Sequence, residues 1–413
     1  MTLPSSWRTP IFILIAGTVI TALCVGMRNT FGLFLTPMTE AYGWSIEGFA
    51  LAIAVQNIIW GITAPITGGL ADRFGTARVI AFGGLAYALG LYLMSLAETP
   101  AEFMFSTGLL IGLGTSATGF GVVLGAVGRV TSDKNRSLYL GIASAGGSMG
   151  QFVLVPLGQV FISSFGWAGA LMALGMVALI TIPLSTLLAG KAGTALSAGQ
   201  ATGPIHALSI AARQPRFWLL FWGFAVCGFH ITFIATHLPR FLSDNNFDPI
   251  LGAWALSTIG LFNVIGSLFW GKMGVRHSKR KLLAILYAVR SVIIAVFMML
   301  PFSTPSVLIF SAGIGFTWLG TVPLTSALVG QMYGVRYMNT LFSGVFLGHQ
   351  IGAFLGVWGG GFVHDLTGSY DLIWYAGIAL GVISSLLHLP IDERGNEAYL
   401  NGVSERPLAG DST

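Results

Sequence analysis

Long apolar stretches alternate with short polar loops along the whole chain. Windows of about 20 mostly apolar residues are long enough to cross a bilayer as a helix. Twelve such spans are predicted, near residues 10–35, 46–68, 79–97, 103–127, 138–162, 167–189, 216–239, 250–271, 281–301, 305–330, 339–363 and 371–389. We expect two bundles of six helices, at residues 1–189 and 215–390, with a polar linker at residues 190–214 and a charged tail at residues 391–413.

The composition agrees with this pattern and excludes a water-soluble globule. Of the 413 residues, 54% are hydrophobic and only 8% are charged, whereas a soluble domain carries about 25% charged residues. The 56 glycines suit helices that pack closely in lipid. Cys24 and Cys227 lie in apolar runs and predict no disulfide framework.

The positive charges predict how the chain is oriented. Seventeen of the 20 Lys and Arg residues fall in the termini and in alternate loops, Arg240 falls on the opposite side, and Arg28 and Arg290 lie inside spans. By the positive-inside rule, both termini are expected in the cytoplasm, with the protein in the cytoplasmic (inner) membrane. The net charge of +5 therefore reflects topology and does not indicate a nucleic-acid partner.

The two predicted bundles are similar to each other in sequence. When the chain is shifted by 202 residues, "FGLFLTPM" lies over "FIATHLPR", which aligns Pro37 with Pro239 and Arg28 with His230. Transporters built from such repeats bind their substrate near the membrane midplane, between the repeats. Arg28 and His230 are therefore expected at matching depths, on the first helix of each bundle.

The loop after the second span carries a specific motif. "GGLADRFGTAR", residues 68–78, matches G-x-L-A-D-R-x-G-x-x-R and thereby resembles the loop signature of the major facilitator superfamily. The resemblance implies that fold and a conformational latch, in which an acid at a helix end holds a contact in one conformation and releases it in another. The latch residues in this chain would be Gly68, Asp72, Arg73, Gly75 and Arg78.

Within that superfamily, the chain resembles the monocarboxylate porters. "RSLYLGIASAGGSMG", which starts at Arg136, fits that family's R-x-L-x-x-G-x-A-x-A-G-x-x-x-G pattern, and Arg28 stands where the family usually has a lysine. The chain departs from the family at Asn263 and Ser267, where animal members carry Asp and Arg, and it lacks their acidic signature before the first helix. The resemblance therefore implies the fold, whereas the family's proton-coupling residues do not carry over to this chain.

The distribution of acids favours an anionic ligand for Arg28. All 15 Asp and Glu residues lie in loops, tails or span ends, so a buried guanidinium needs water, backbone carbonyls or an external anion. The alternative is an arginine that snorkels to water from its helix end. His230, His349, Gln350, Asn57 and Asn263 are candidate hydrogen-bonding contacts to the substrate, although each is also a common type of packing or helix-bridging residue.

These observations predict a secondary transporter for a small organic anion, with a monocarboxylate as the first candidate. A histidine changes charge near neutral pH, so proton symport is one option, and anion exchange or uniport is the alternative. The chief alternative is an efflux pump for a neutral or amphipathic compound, and a solute-binding receptor is a weaker one. Arg290 is either a functional buried charge or a structural one. We expect a monomer without cofactor or metal, and no phosphate-binding loop or nucleophile motif suggests an enzyme.

Overall fold

The computed structural model describes residues 9–131, 133–190, 204–334 and 338–395. They form the helices α1 (Pro10–Arg28), α2 (Phe31–Tyr42), α3 (Ile46–Phe74), α4 (Thr76–Leu96), α5 (Pro100–Phe103), α6 (Ile111–Thr118), α7 (Phe120–Val130), α8 (Asp133–Leu179), α9 (Thr181–Ser185), α10 (Pro204–Ala211), α11 (Pro215–Asp244), α12 (Pro249–Arg276), α13 (Lys279–Met299), α14 (Thr304–Thr317), α15 (Thr321–Tyr333), α16 (Met338–Thr367) and α17 (Asp371–His388). A π-helical turn, Met104–Leu110, joins α5 to α6. The linker and tail residues 191–203 and 396–413 and the Arg136 side chain lie outside the described part.

Every predicted span corresponds to a helical segment. Eleven segments of the described chain are long and apolar enough to cross a membrane, and one of them, Tyr139–Leu188, contains two spans. These two spans are separated at Gly166, whose φ of 70° lies in the left-handed region that glycine tolerates and other residues avoid. The all-α membrane fold predicted from the hydrophobic pattern is confirmed.

Several spans consist of two helices with an internal break. The first span is α1 followed by α2, broken at Asn29 and Thr30. The tenth span is α14 followed by α15, and the residues from Trp318 to Gly320 leave the helix between them. Such breaks free backbone groups within the bundle, and these groups need partners from neighbouring helices.

Glycines let neighbouring helices approach closely at the points where the bundle is tightest. A Cβ at Gly352 of α16 would overlap the backbone carbonyl of Ala225 on α11, and a Cβ at Gly150 of α8 would overlap that of Ala22 on α1. No larger residue fits at either position unless the helices move apart. The packing therefore uses the small residues in the way expected for helices in lipid.

The N-terminal set consists of helices α1 to α9 and the C-terminal set of α10 to α17. In the described chain the two sets meet most extensively along three pairs: α2 with α11, α3 with α16, and α8 with α12. Polar contacts close one end of this interface. The Asp365 carboxylate accepts hydrogen bonds from the backbone N–H groups of Ile46 (3.2 Å) and Glu47 (2.7 Å) at the start of α3, and Arg240 pairs with Glu40 at 3.2 Å. We refer to this as the Asp365 end and to the opposite one as the Asp72 end.

Candidate functional site

The Arg28 side chain lies at the break between α1 and α2 and points towards α3. One of its terminal nitrogens donates a hydrogen bond to the side-chain oxygen of Asn57. Its guanidinium carbon lies 5.2 Å from the centre of the Trp60 ring, in cation–π contact. Its Nε–H is buried and has no hydrogen-bond partner among the described residues.

The partners of Arg28 are therefore neutral. The amide of Asn57 and the indole of Trp60 present dipoles and a quadrupole, and neither carries a full negative charge. The ion pairs between described residues lie at the ends of the helices or in the tail, and none of them includes Arg28. A guanidinium stays charged at any physiological pH, so Arg28 carries a positive charge that no acid of the described residues pairs with.

Two residues of α16 reach the same place from the other set of helices. The Gln350 side-chain amide donates to the backbone carbonyl of Asn57 at 2.9 Å. His349 Nδ1 lies 3.1 Å from the Gln350 side-chain oxygen, so this nitrogen must donate, because the oxygen can only accept. The structure thus brings together four of the predicted site residues, and they form a chain from Arg28 through Asn57 and Gln350 to His349.

Aromatic rings, which are not among the site residues predicted from the sequence, line this row of contacts. Trp60 meets Phe346 edge to face across the two sets, with ring centres 5.7 Å apart. Phe346 stacks on His349 at 5.2 Å with an interplanar angle of 9°, and Phe224 lies 5.1 Å from the same histidine. Trp60 follows Asn57 by three residues and Phe346 precedes His349 by three, a spacing that places each pair on one helix face. That spacing was the available signal.

His230 does not join this group. Its Nε2 lies 2.7 Å from the backbone carbonyl of Gly377, so its side chain faces α17. Its Nδ1 is buried without a partner among the described residues. In this conformation His230 bridges two helices of the C-terminal set, which is the packing alternative considered for it.

Asn263 also has a different set of neighbours. Its side-chain oxygen accepts from the backbone N–H of Leu319 at 3.0 Å, inside the break between α14 and α15. Its side-chain nitrogen donates to the Ser148 hydroxyl at 2.8 Å, and Ser148 belongs to α8 of the N-terminal set. Asn263 therefore satisfies a backbone group freed by the break and links the two sets at mid-depth.

Arg290 approaches the same break from α13. It is only 1% exposed, and one terminal nitrogen donates to the carbonyls of Thr317 and Trp318, the latter at 2.9 Å. These carbonyls lie at the C-terminal end of α14, where the helix dipole favours a cation. The other terminal nitrogen lies 3.7 Å from the Cys227 sulfur. These contacts favour the structural interpretation of Arg290.

Matching contacts in the two sets correct the expected alignment of Arg28 with His230. Cys24 bonds to Thr118 at 3.1 Å in the first set, and Cys227 bonds to Thr321 at 3.1 Å in the second. Each residue of the second pair lies 203 positions after its counterpart in the first. At this point the shift of 202 is wrong by one residue. The difference arises before Pro37, because the N-terminal copy is broken after Arg28, whereas α11 runs unbroken from Pro215 to Asp244.

The predicted latch residues lie at the Asp72 end, at the junction of α3 and α4. Asp72 pairs with Arg129 of α7 at 3.4 Å, and Arg129 also donates to the Thr76 hydroxyl. Gly75 has a φ of 96°, in the left-handed region, so the tight turn requires a glycine. A Cβ at Gly68 would meet nothing within 4 Å.

The two remaining arginines of the loop are exposed. Arg73 lies against the ring of Phe74, with its guanidinium carbon 5.2 Å from the ring centre. Arg78 lies in the first turn of α4. Asp72 and Arg129 thus provide the ion pair of the loop, and both belong to the N-terminal set.

Comparison with known proteins gives a consistent result. The Major Facilitator Superfamily profile matches residues 14–357 and 242–408. Monocarboxylate transporter 13 of Rattus norvegicus is 26% identical over 375 residues, covering 89% of this chain and 86% of that protein. The uncharacterized MFS-type transporter YcxA of Bacillus subtilis (strain 168) is 25% identical over 389 residues, covering 88% of this chain and 90% of that protein.

A solved structure shares the fold. A bacterial homologue of the human lysosomal transporter Spinster, crystallised in an inward-facing and occupied conformation, superposes with a TM-score of 0.70. It is 15% identical, and the match covers 93% of this chain and 94% of that one. At this identity the likeness concerns the arrangement of the helices alone.

Proposed function

Because the chain belongs to the Major Facilitator Superfamily, a group of membrane transporters and not of enzymes, we propose that it carries a small organic anion, specifically a monocarboxylate, by alternating access. The observation that carries this proposal is Arg28, a half-buried cation between the helices whose described partners are neutral. A carboxylate would accept charge-assisted hydrogen bonds from the guanidinium, which are about twice as strong as those between neutral groups. The name of the rat relative supports the same substrate class.

The position of the site between the two sets of helices suits alternating access. Arg28, Asn57 and Trp60 belong to one set, while Gln350 and His349 belong to the other. A ligand held there contacts both sets, so that its binding energy can differ between two arrangements of the sets.

The polar contacts favour one particular state of the cycle. They tie the two sets together at the Asp365 end, and the positive-inside distribution of Lys and Arg assigns that end to the outside. The conformation is therefore closed to the outside. On this proposal the Asp72–Arg129 pair acts as a latch within the N-terminal set during the transition.

Two modes of coupling are consistent with the site. In proton symport, His349 is the candidate proton carrier, because it is the histidine next to Gln350 in the chain of contacts from Arg28. In anion exchange, Arg28 binds one carboxylate on one side of the membrane and a second carboxylate on the other side, and no proton carrier is needed. A pH jump in liposomes loaded with substrate separates these modes, since only symport converts a proton gradient into substrate accumulation.

Counterflow of a labelled monocarboxylate into proteoliposomes tests the proposal. We expect uptake with the natural chain, little uptake with Arg28→Gln and partial uptake with Arg28→Lys, which keeps the charge but loses the planar fork of donors. Uptake of carboxylates that is equal in Arg28→Gln and the natural chain would refute the proposal. If no carboxylate showed counterflow and neutral amphiphiles did, the result would favour the efflux alternative.

A further inference from the structure

The surroundings of Arg28 indicate which monocarboxylate the site accepts. We infer that the preferred substrate is an aromatic monocarboxylate, with its carboxylate on Arg28 and its flat ring against the side chains of Trp60 and Phe346. This inference rests on the proposed function, and it adds a substrate class and two specificity-determining residues. Neither ring was identified from the sequence, and no comparison assigns them a role.

A single carboxylate is expected because Arg28 is the one cation, among the described residues, in the group of contacts between the two sets. Arg290 is the other arginine in the apolar interior, and it lies within the C-terminal set, where its terminal nitrogens meet the carbonyls of Thr317 and Trp318 and the sulfur of Cys227. A dicarboxylate would therefore bury a second negative charge without a partner, and this is costly.

The polar groups around Arg28 already bond to one another, so they offer little to a ligand hydroxyl. The Asn57 amide nitrogen donates to the carbonyl of Ile53 at 2.7 Å. The Gln350 amide nitrogen donates to the carbonyl of Asn57, and its oxygen accepts from His349. A hydroxy acid would either leave its hydroxyl unpaired or displace one of these bonds, and an unpaired buried polar group lowers affinity.

The surface that remains beside the guanidinium is aromatic. Trp60 and Phe346 are each partly exposed, whereas Asn57 and Gln350 are fully buried. The two rings meet edge to face at 5.7 Å, with an interplanar angle of 73°, and His349 continues the wall behind Phe346. An aromatic ligand can stack on one ring and meet the edge of the other, which is the arrangement that aromatic groups prefer.

The wall also spans the interface between the sets. Trp60 belongs to α3 and Phe346 to α16, so that a ligand ring lying on both contacts the two sets at once. An aliphatic acid of the same size would fill the space but would lack the oriented ring contacts. From the strength of aromatic pairs we expect about a two- to twelvefold preference for the aromatic acid.

Ligand-induced thermal stabilisation of the purified full-length protein in detergent tests the inference. The probes are benzoate, cyclohexanecarboxylate, lactate and phthalate, each titrated to saturation to give a dissociation constant. We expect benzoate to bind about two- to twelvefold more tightly than cyclohexanecarboxylate, and both to bind more tightly than lactate and phthalate. Equal or tighter binding of lactate or cyclohexanecarboxylate would overturn the inference.

Variants of the aromatic wall provide the controls. Trp60→Leu should bring benzoate to the affinity of cyclohexanecarboxylate, whereas Trp60→Phe should retain most of the preference because it keeps a ring. Trp254→Leu, at a tryptophan that is 52% exposed on the outer surface of the bundle, should change neither affinity. An unchanged benzoate preference in Trp60→Leu would refute the assigned role. If Trp60→Leu does not fold, Phe346→Leu provides the same test, because it removes the other ring of the wall and should also lower the preference.

Failure of this inference can be told apart from failure of the proposed function. If all the monocarboxylates bind equally and Arg28→Gln abolishes their binding, the aromatic preference is wrong and the anion site stands. If no carboxylate stabilises the natural chain, the proposed function and this inference are both refuted.

Discussion

Replacing Asn57 by aspartate would give Arg28 a counter-ion of its own. The substitution is nearly isosteric, and the Asn57 side-chain oxygen already accepts a hydrogen bond from the guanidinium. Asn57→Asp therefore adds one negative charge where we propose that the substrate carboxylate binds. We expect a protein that is more heat-stable without ligand and that no longer binds anions.

The contact geometry allows the size of the effect to be estimated. The charges of a carboxylate and a guanidinium in contact are about 4 Å apart and attract by about 4 kcal/mol at an effective dielectric constant of about 20. A substrate carboxylate on the same guanidinium would lie about 5 Å from the introduced one and be repelled by about 3 kcal/mol. That repulsion weakens binding by a factor of about 100 to 200.

Thermal stabilisation by benzoate is the assay, with counterflow of labelled benzoate as the functional measurement. Asn57→Asp should show a higher apparent Tm without ligand and no further rise at benzoate concentrations that saturate the natural chain. Asn57→Ala is the matched control, because it removes the same amide oxygen without adding charge and should still bind benzoate. If Asn57→Asp bound benzoate as tightly as the natural chain, Arg28 would not be the anion contact.

Three further predictions concern the helices that surround the site. Gly352→Ala should lower the apparent Tm, because overpacking costs about 1–3 kcal/mol. Gly271→Ala is the control, because a Cβ there meets nothing within 4 Å, and it should leave the apparent Tm unchanged or raise it. Equal effects of the two substitutions on the apparent Tm would contradict the packing argument. A double-mutant cycle of Asn263→Ala with Ser148→Ala should give a coupling of about 0.6 kcal/mol in unfolding free energy, the average for such bonds within membranes, and strict additivity would mean that the bond contributes nothing. Asp365→Ala removes two hydrogen bonds that close the Asp365 end, so cysteine-labelling reagents added from outside should reach the central site faster than in the natural chain, and an unchanged rate would contradict its role as a closing contact.

Much of the architecture was predictable from the sequence, because it depends on the hydrophobicity and the charge of the residues within each span. The length of each apolar stretch fixed the number of spans, and the cost of burying an arginine singled out Arg28. The same reasoning found His349, Gln350 and Asn57, because polar side chains inside apolar spans are few. All of these conclusions use the composition of a single helix and need no knowledge of its neighbours.

The predicted place of His230 beside Arg28 depended on helix rotation, which the sequence alone did not determine. One residue turns a helix by about 100°, so the difference between a shift of 202 and one of 203 decides which side chain faces the centre. His230 faces Gly377 on α17, within its own set of helices. The break after Arg28 absorbs this extra residue, and nothing in the apolar pattern of the first span marked its position.

The sequence by itself determined the membrane fold, the sidedness expected from its charges and the presence of two arginines, Arg28 and Arg290, in spans that contain no acid. The tertiary structure decided which neutral groups meet Arg28, that Asn263 serves a helix break, and that Trp60 and Phe346 form a wall beside Arg28. The reason is physical. Hydrophobicity and charge are properties of single residues, whereas a hydrogen bond or a ring contact exists only once the rotation and the neighbours of two helices are set.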